Sequence, residues 1–124
     1  MLSKILSTVF FEMNGKRVFE FATTKAPLLI DEYISHFSIS KKSISSVILH
    51  QANINIVKKI SEILGIDMGL FFTNLQKYGN TSSASLFIAL AESFEQKIEK
   101  PKDTHEILCS FGGCLSWGVS CLKY

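Results

Sequence analysis

Apolar positions along this chain follow two rhythms, and the points where one replaces the other divide it into elements. Val47-Ile48-Leu49 is a short, largely β-branched run that fits a strand buried on both faces. It ends abruptly in the polar side chains His50, Gln51 and Asn53. From Ile54 the period becomes helical: Ile54, Val57, Ser61 and Leu64 share one face, with Asn55, Lys58, Lys59 and Glu62 largely opposite. The helix is expected from Asn53, a good N-cap, to Leu64, with Gly65 as its C-terminal cap. His50 is thereby placed at the carboxyl end of a strand, where open α/β sheets hold their ligands.

Upstream, Thr8 to Met13 reads as a strand broken by Asn14-Gly15, a turn signal because both residues tolerate positive φ. Val18, Phe19 and Ala22 then begin a helical spacing that Leu28, Leu29, Tyr33 and Phe37 extend, with Pro27 starting a second helical piece. Lys41, Lys42 and the serines around them form the loop into the His50 strand. Downstream, Leu70 to Leu75 is a candidate strand leading to Gly79 and Asn80. Thr81 or Ser82 caps a helix whose apolar positions are Ala84, Phe87, Ile88, Ala91, Phe94 and Ile98. Lys97 to Thr104, with Pro101, is a polar loop. Ile107 to Phe111 and Leu115 to Lys123 are strands joined through Gly112-Gly113, and Leu115, Trp117, Val119 and Cys121 share a face of the second. Helices alternating with strands, closed by a strand pair, predict one α/β domain over 1–124 with a mixed, mostly parallel sheet.

Composition narrows the function. The 124 residues suit one domain, and 47% hydrophobic content is enough for a core. A net charge of +2, with Lys and Arg spread along the chain, lacks the basic stripe of a nucleic-acid binder. No apolar run approaches membrane-spanning length. The opening Met1 to Phe11 has a faint signal-peptide look, but Ser7 and Thr8 interrupt it and Glu12 follows, so a strand is the better reading. Cys109, Cys114 and Cys121 are odd in number and crowd into apolar segments, which argues for reduced thiols in the cytoplasm. No motif calls for a metal or a cofactor.

The layout at His50 recurs at Tyr78-Gly79-Asn80-Thr81-Ser82-Ser83-Ala84-Ser85, where a turn again delivers a polar side chain just before a helix. Together, His50-Gln51-Ala52-Asn53, Gly79-Asn80-Thr81-Ser82 and Phe111-Gly112-Gly113-Cys114-Leu115-Ser116-Trp117-Gly118 resemble, in order and spacing, the β-ketoacyl-acyl-carrier-protein synthases III of the thiolase superfamily. The resemblance covers nearly all of this chain but only the carboxyl-terminal half of a family member, and it implies half of a thiolase-like fold. In that family a cysteine nucleophile takes an acyl group, and a malonyl thioester loses carbon dioxide to give the carbanion that attacks it. His50 and Asn80 match the residues assigned to the decarboxylation. Negative charge builds on the thioester oxygen as carbon dioxide leaves, and a neutral imidazole N–H and a carboxamide N–H are uncharged donors suited to it. Gly112 and Gly113 match a loop whose backbone comes close to the acyl oxygen.

Two positions depart from the family pattern. Cys114 stands where the family has glycine, and Asn55 stands where some members carry an arginine that meets the acidic carrier protein. Lys58 and Lys59, on the same helix, are the candidates to replace it, although exposed lysines are often only solvated. The family's nucleophile turn has no counterpart in these residues. Cys109 and Cys121 sit on strands where a thiol behaves as a small hydrophobe, which leaves Cys114 as the sole candidate among the cysteines present.

Each residue also has a structural reading: His50 as a satisfied polar group, Asn80 as a turn residue, Gly112 and Gly113 as a tight connection. The leading expectation is the carboxyl-terminal half of a condensing acyltransferase. It would work beside a separate amino-terminal half that carries the cysteine, take acyl-carrier-protein or acyl-CoA thioesters, and act within a homo- or hetero-oligomer. The alternatives are a non-catalytic module that binds carrier protein, acyl thioester or a full-length synthase, and a truncated product or a chain trimmed to one domain.

Overall fold

The computed structural model describes residues 14–96, 98–112 and 115–124, and its centre is the strand that ends at His50. That strand, β1 (Ile44–Leu49), is flanked on one side by β2 (Phe71–Phe72) and on the other by β3 (His105–Gly112). Both neighbours run parallel to it, and β4 (Ser116–Lys123) pairs antiparallel with the far side of β3. The sheet order β2-β1-β3-β4 is thus the mixed, mostly parallel arrangement that the alternating pattern predicts.

The continuous apolar character of β1 has a direct cause: both of its faces are covered. Val47 and Leu49 join Ile107, Cys109 and Phe111 of β3 in a core closed by two helices, α1 (Gly15–His36) and α2 (Ile54–Leu64). Ile48 and Leu108 point the other way and pack on Ala89 of the helix α4 (Ser85–Glu95). Side chains alternate across a strand, so neighbouring residues feed opposite layers. Helix α2 is delimited as its sequence suggests. The Asn53 side chain accepts from the Asn55 N–H at 2.8 Å, and Gly65 adopts φ 63° at the C-terminal cap. Lys41 then donates to the Leu64 carbonyl at 2.8 Å, at the negative end of that helix.

Several local expectations are corrected. Asn14-Gly15, expected as a turn, is the start of a helix, because the Asn14 side-chain oxygen accepts from the Arg17 N–H at 3.1 Å. Pro27 does not start a second piece: α1 runs unbroken for 22 residues through it. Ala26, Pro27 and Ile30 are buried there, so packing outweighs the missing N–H. The strand expected over Leu70 to Leu75 shrinks to Phe71–Phe72, between a 3-10 turn (Met68–Leu70) and a one-turn helix, α3 (Leu75–Tyr78). Neither Thr81 nor Ser82 caps α4 with its side chain; a 3-10 turn (Ser82–Ala84) leads into the helix, which ends before Ile98. Leu115 lies outside β4, at φ 54°. The strand expected over Thr8 to Met13, and Gly113 and Cys114 of the glycine loop, lie outside the described residues.

At the amino end of β3, away from His50, Glu106 is wholly buried between Lys100 (2.6 Å) and the Tyr124 hydroxyl, which donates to it at 2.7 Å. Burial and the neighbouring carboxylate both push the Tyr124 phenol up. Removing one partner of a buried pair leaves an uncompensated charge. Lys100→Met should therefore lower stability by about 3–5 kcal/mol in urea unfolding. Adding Glu106→Leu should recover most of that loss, and equal stability of the single and double variants would show the pair to be irrelevant to the fold.

Candidate active site

Because β2, β1 and β3 are parallel, the segments leaving their carboxyl ends emerge at one edge of the sheet. His50 follows β1 directly, and its backbone N–H donates to the Cys109 carbonyl of β3 at 2.8 Å, prolonging the ladder. Its half-buried ring meets Phe111 edge-on, with centroids 5.1 Å apart and planes at 84°. Gly112 ends β3 immediately beyond Phe111. On the other side, the chain leaving β2 runs through α3 to Gly79, whose φ of 66° with ψ of −157° is accessible essentially to glycine alone. Asn80 follows, exposed, and its side-chain oxygen accepts from the Ser82 N–H at 2.9 Å. With that oxygen committed to the backbone, the carboxamide N–H groups are what Asn80 can offer a ligand.

Gln51 binds the two segments together. Its side chain, 1% exposed, donates to the Leu49 carbonyl (2.8 Å) and the Phe72 carbonyl (3.3 Å) and accepts from the Asn74 N–H (3.2 Å). The Asn74 side chain in turn donates to Glu92 of α4 at 2.9 Å, and Lys77 donates to the same carboxylate at 2.6 Å. Lys77 and Asn74 hold the Glu92 carboxyl below the usual carboxylate range. At the far end of the segment, the Ser85 hydroxyl lies 2.5 Å from His50 Nδ1 and 3.2 Å from the Gln51 backbone N. The stretch carrying Asn80 is therefore tied at Asn74 and again at Ser85 to His50-Gln51.

Sequence reasoning quoted Gln51 and Ser85 within the motifs and assigned neither a role. The available signal for Gln51 was an amide directly after a strand buried on both faces, since a polar group there must find partners. Ser85 carried no such signal, because a small hydroxyl at a helix start reads equally as a cap.

With this geometry in place, comparison with known proteins is decisive. The sequence model of the family described as 3-oxoacyl-[acyl-carrier-protein (ACP)] synthase III C terminal matches residues 34–124. The chain belongs to this family. The beta-ketoacyl-[acyl-carrier-protein] synthase III of Clostridium perfringens (strain SM101 / Type A) is 42% identical over 118 residues, covering 95% of this chain and 36% of that protein. Its counterpart in Clostridium tetani is 40% identical over 119 residues, covering 96% of this chain and 35% of that one. Among solved structures, 3-oxoacyl-[acyl-carrier-protein] synthase III from Aquifex aeolicus VF5 superposes with a TM-score of 0.85 at 34% identity, covering 93% of this chain and 37% of its own. The synthase III structure from Pseudomonas aeruginosa PAO1 gives a TM-score of 0.86 at 28% identity, covering 93% and 36%. The chain spans about a third of the length of the curated relatives it matches.

The electrostatics of this synthase III C-terminal domain favour neutral groups around His50. Burial lowers the His50 pKa from its ordinary 6.5, so the ring is uncharged at neutral pH. Burial also pushes the Cys109 thiol up to about 12 and raises Cys121, so neither sulfur is available as a thiolate nucleophile. A Cβ added at Gly112 would meet no atom within 4 Å, so nothing in the described residues itself demands glycine there. Lys58 and Lys59 are exposed on α2, Lys59 lying 3.1 Å from Glu62. Among the described residues no three His, Cys, Asp or Glu side chains cluster as metal ligands, and no helix is long and apolar enough to cross a membrane.

A depressed folded-state pKa means that the unfolded chain takes up the His50 proton first. Above 6.5 both states are neutral at this site and nothing changes. Stability should fall as pH drops from 6.5 through the folded-state value. Following the His50 ring by NMR should give a midpoint below 6.5, and a midpoint above it would overturn burial as the dominant influence on the ring.

Proposed function

We propose that these residues supply the decarboxylation half of a condensing acyltransferase site of the synthase III type, and that the nucleophilic cysteine comes from an amino-terminal half. The observation that carries this reading is the cross-tie: Gln51 and Ser85 hold His50 and the Asn80 segment together at the carboxyl ends of adjacent strands. A neutral imidazole N–H and a carboxamide N–H then converge on one oxygen. The bond between the α-carbon and the carboxylate of a malonyl thioester breaks, carbon dioxide leaves, and the electron pair passes toward the thioester oxygen. Donors already in place stabilise that charge without reorganising. The resulting carbanion attacks the acyl group held on the partner's cysteine.

The remaining assignments follow from the same reading. Gly112 and Gly113 serve the acyl group, and Lys58 and Lys59 meet an acidic carrier protein, with acyl-CoA as the other thioester donor. The amino-terminal half covers the outer face of α4, where Phe87 and Phe94 are 69% and 51% exposed and Ile98, just past the helix, is 42% exposed. The setting is the cytoplasm. A second reading, a non-catalytic module that binds carrier protein or synthase, draws on Cys114 and Asn55, the two departures from the family pattern.

The test joins this chain to the amino-terminal remainder of the Clostridium perfringens relative. His50→Ala and Asn80→Ala should each lower malonyl decarboxylation by about 100- to 1,000-fold while transfer of a primer acyl group onto the cysteine stays near normal. The double variant should lose less than the product of the single losses, because both donors serve one oxygen. The 124-residue chain alone should accept no acyl group. Unchanged decarboxylation in both single variants would hand the function to the binding-module reading. Sedimentation should show the isolated chain self-associating through its apolar α4 face; a persistent monomer would mean that face needs no cover.

A further inference from the structure

Ser85 opens α4 at 2% exposure, and its hydroxyl sits between two groups of different character. The Gln51 backbone N–H, 3.2 Å away, can only donate, so the hydroxyl oxygen accepts from it. The hydroxyl's single proton then needs an acceptor of its own, since a buried donor left unpaired is costly. His50 Nδ1, at 2.5 Å, is the acceptor that the fold sets beside it. A ring nitrogen that accepts cannot carry a proton, so in the neutral imidazole the proton lies on Nε2.

We propose that Ser85 is a positioning residue that holds His50 as the Nε2–H tautomer, so that the nitrogen turned away from α4 is the one that donates. The inference deepens the functional reading and rests on it for its catalytic consequence. If Nδ1 carried the proton, the hydrogen bond with Ser85 would consume it, and Nε2 would present a lone pair to a thioester oxygen that is gaining negative charge. The same hydroxyl also favours the neutral ring over the imidazolium, because a protonated Nδ1 would turn it into an acceptor and leave its own buried proton without a partner. Ser85 thus sets both the charge and the direction of the donor, from a position that never touches substrate. It also closes the segment carrying Asn80, so the two donors share one anchor.

The first measurement needs no activity. Nitrogen-15 NMR of the full chain, above the His50 titration, should show Nε2 protonated and Nδ1 bare. In Ser85→Ala the single tautomer should give way to a mixture and the His50 midpoint should rise. A proton on Nδ1 in the unaltered chain overturns the proposal, as does a Ser85→Ala ring that keeps both tautomer and midpoint. In the chain joined to the amino-terminal remainder of the Clostridium perfringens relative, Ser85→Ala should lower decarboxylation by about 10- to 100-fold with acyl loading unchanged. Ser85→Thr, which keeps the hydroxyl, should recover much of the loss; a folded Thr variant as impaired as the Ala variant counts against the hydroxyl. Should the Thr methyl prevent folding, the NMR comparison of Ser85 with Ala decides alone. The two readings fail separately: an inert His50→Ala removes His50 as donor whatever its tautomer, whereas a damaging His50→Ala beside an inert Ser85→Ala removes only Ser85.

Discussion

A single buried amide holds one edge of this sheet together. Gln51 leaves the carboxyl end of a strand sealed on both faces, where an unpaired polar group would be costly, and finds partners on β1, on β2 and on the segment after β2. Because both its donors and its acceptor are used, the side chain has essentially one place to sit. Through it the position of the loop beyond β2 is referred to β1 rather than left to a strand of two residues. Nothing in so short a strand could otherwise fix the segment after β2 against β1.

The second constraint is neutrality. The charged pairs of the described structure are held off the His50 ring: Lys77 and Glu92 engage each other beyond Asn74, and Lys100 and Glu106 lie at the opposite end of β3. Among the described residues, His50 meets an aromatic edge, a hydroxyl and backbone. For the function proposed above, a neutral donor suits an oxygen where negative charge develops better than an imidazolium does, since the latter would also hold the carboxylate that must leave. Burial, by lowering the His50 pKa, keeps the ring in the uncharged form that the proposed function requires.

The layering explains why the two helices beside the sheet read differently. Helix α2 buries Ile56, Val57, Ile60 and Leu64 in the core with the sheet and α1, while Ile54, expected on that face, and Ile63 are exposed at 37% and 49%. Helix α4 buries Ala89 against Ile48 and Leu108 yet leaves Phe87 and Phe94 exposed on its outer side. Its apolar residues therefore exceed what its own sheet can cover, which is the pattern of an interior layer rather than a surface one.

Much of this was legible in the residues alone, because the decisive signals were local. Apolar alternation, a capping asparagine and a glycine at positive φ each act within a few residues, so the β1 strand, α2 with Asn53 and Gly65, and the placing of His50 at a strand end could be read directly. The ordered motifs did the same for family membership. What misled local reading was competition from packing. Pro27 sits inside a continuous helix because its buried face outweighs one missing hydrogen bond, and Leu75 joins a helix because Asn74 is held by Gln51 and Glu92. Gln51 and Ser85 lie at separations of 23 and 35 residues from the partners that give them meaning, Asn74 and His50. Hydrogen bonds across such distances leave no periodicity and no composition bias, so only the folded chain, by bringing three parallel strand ends to one edge, could decide that these two residues set the geometry of the site.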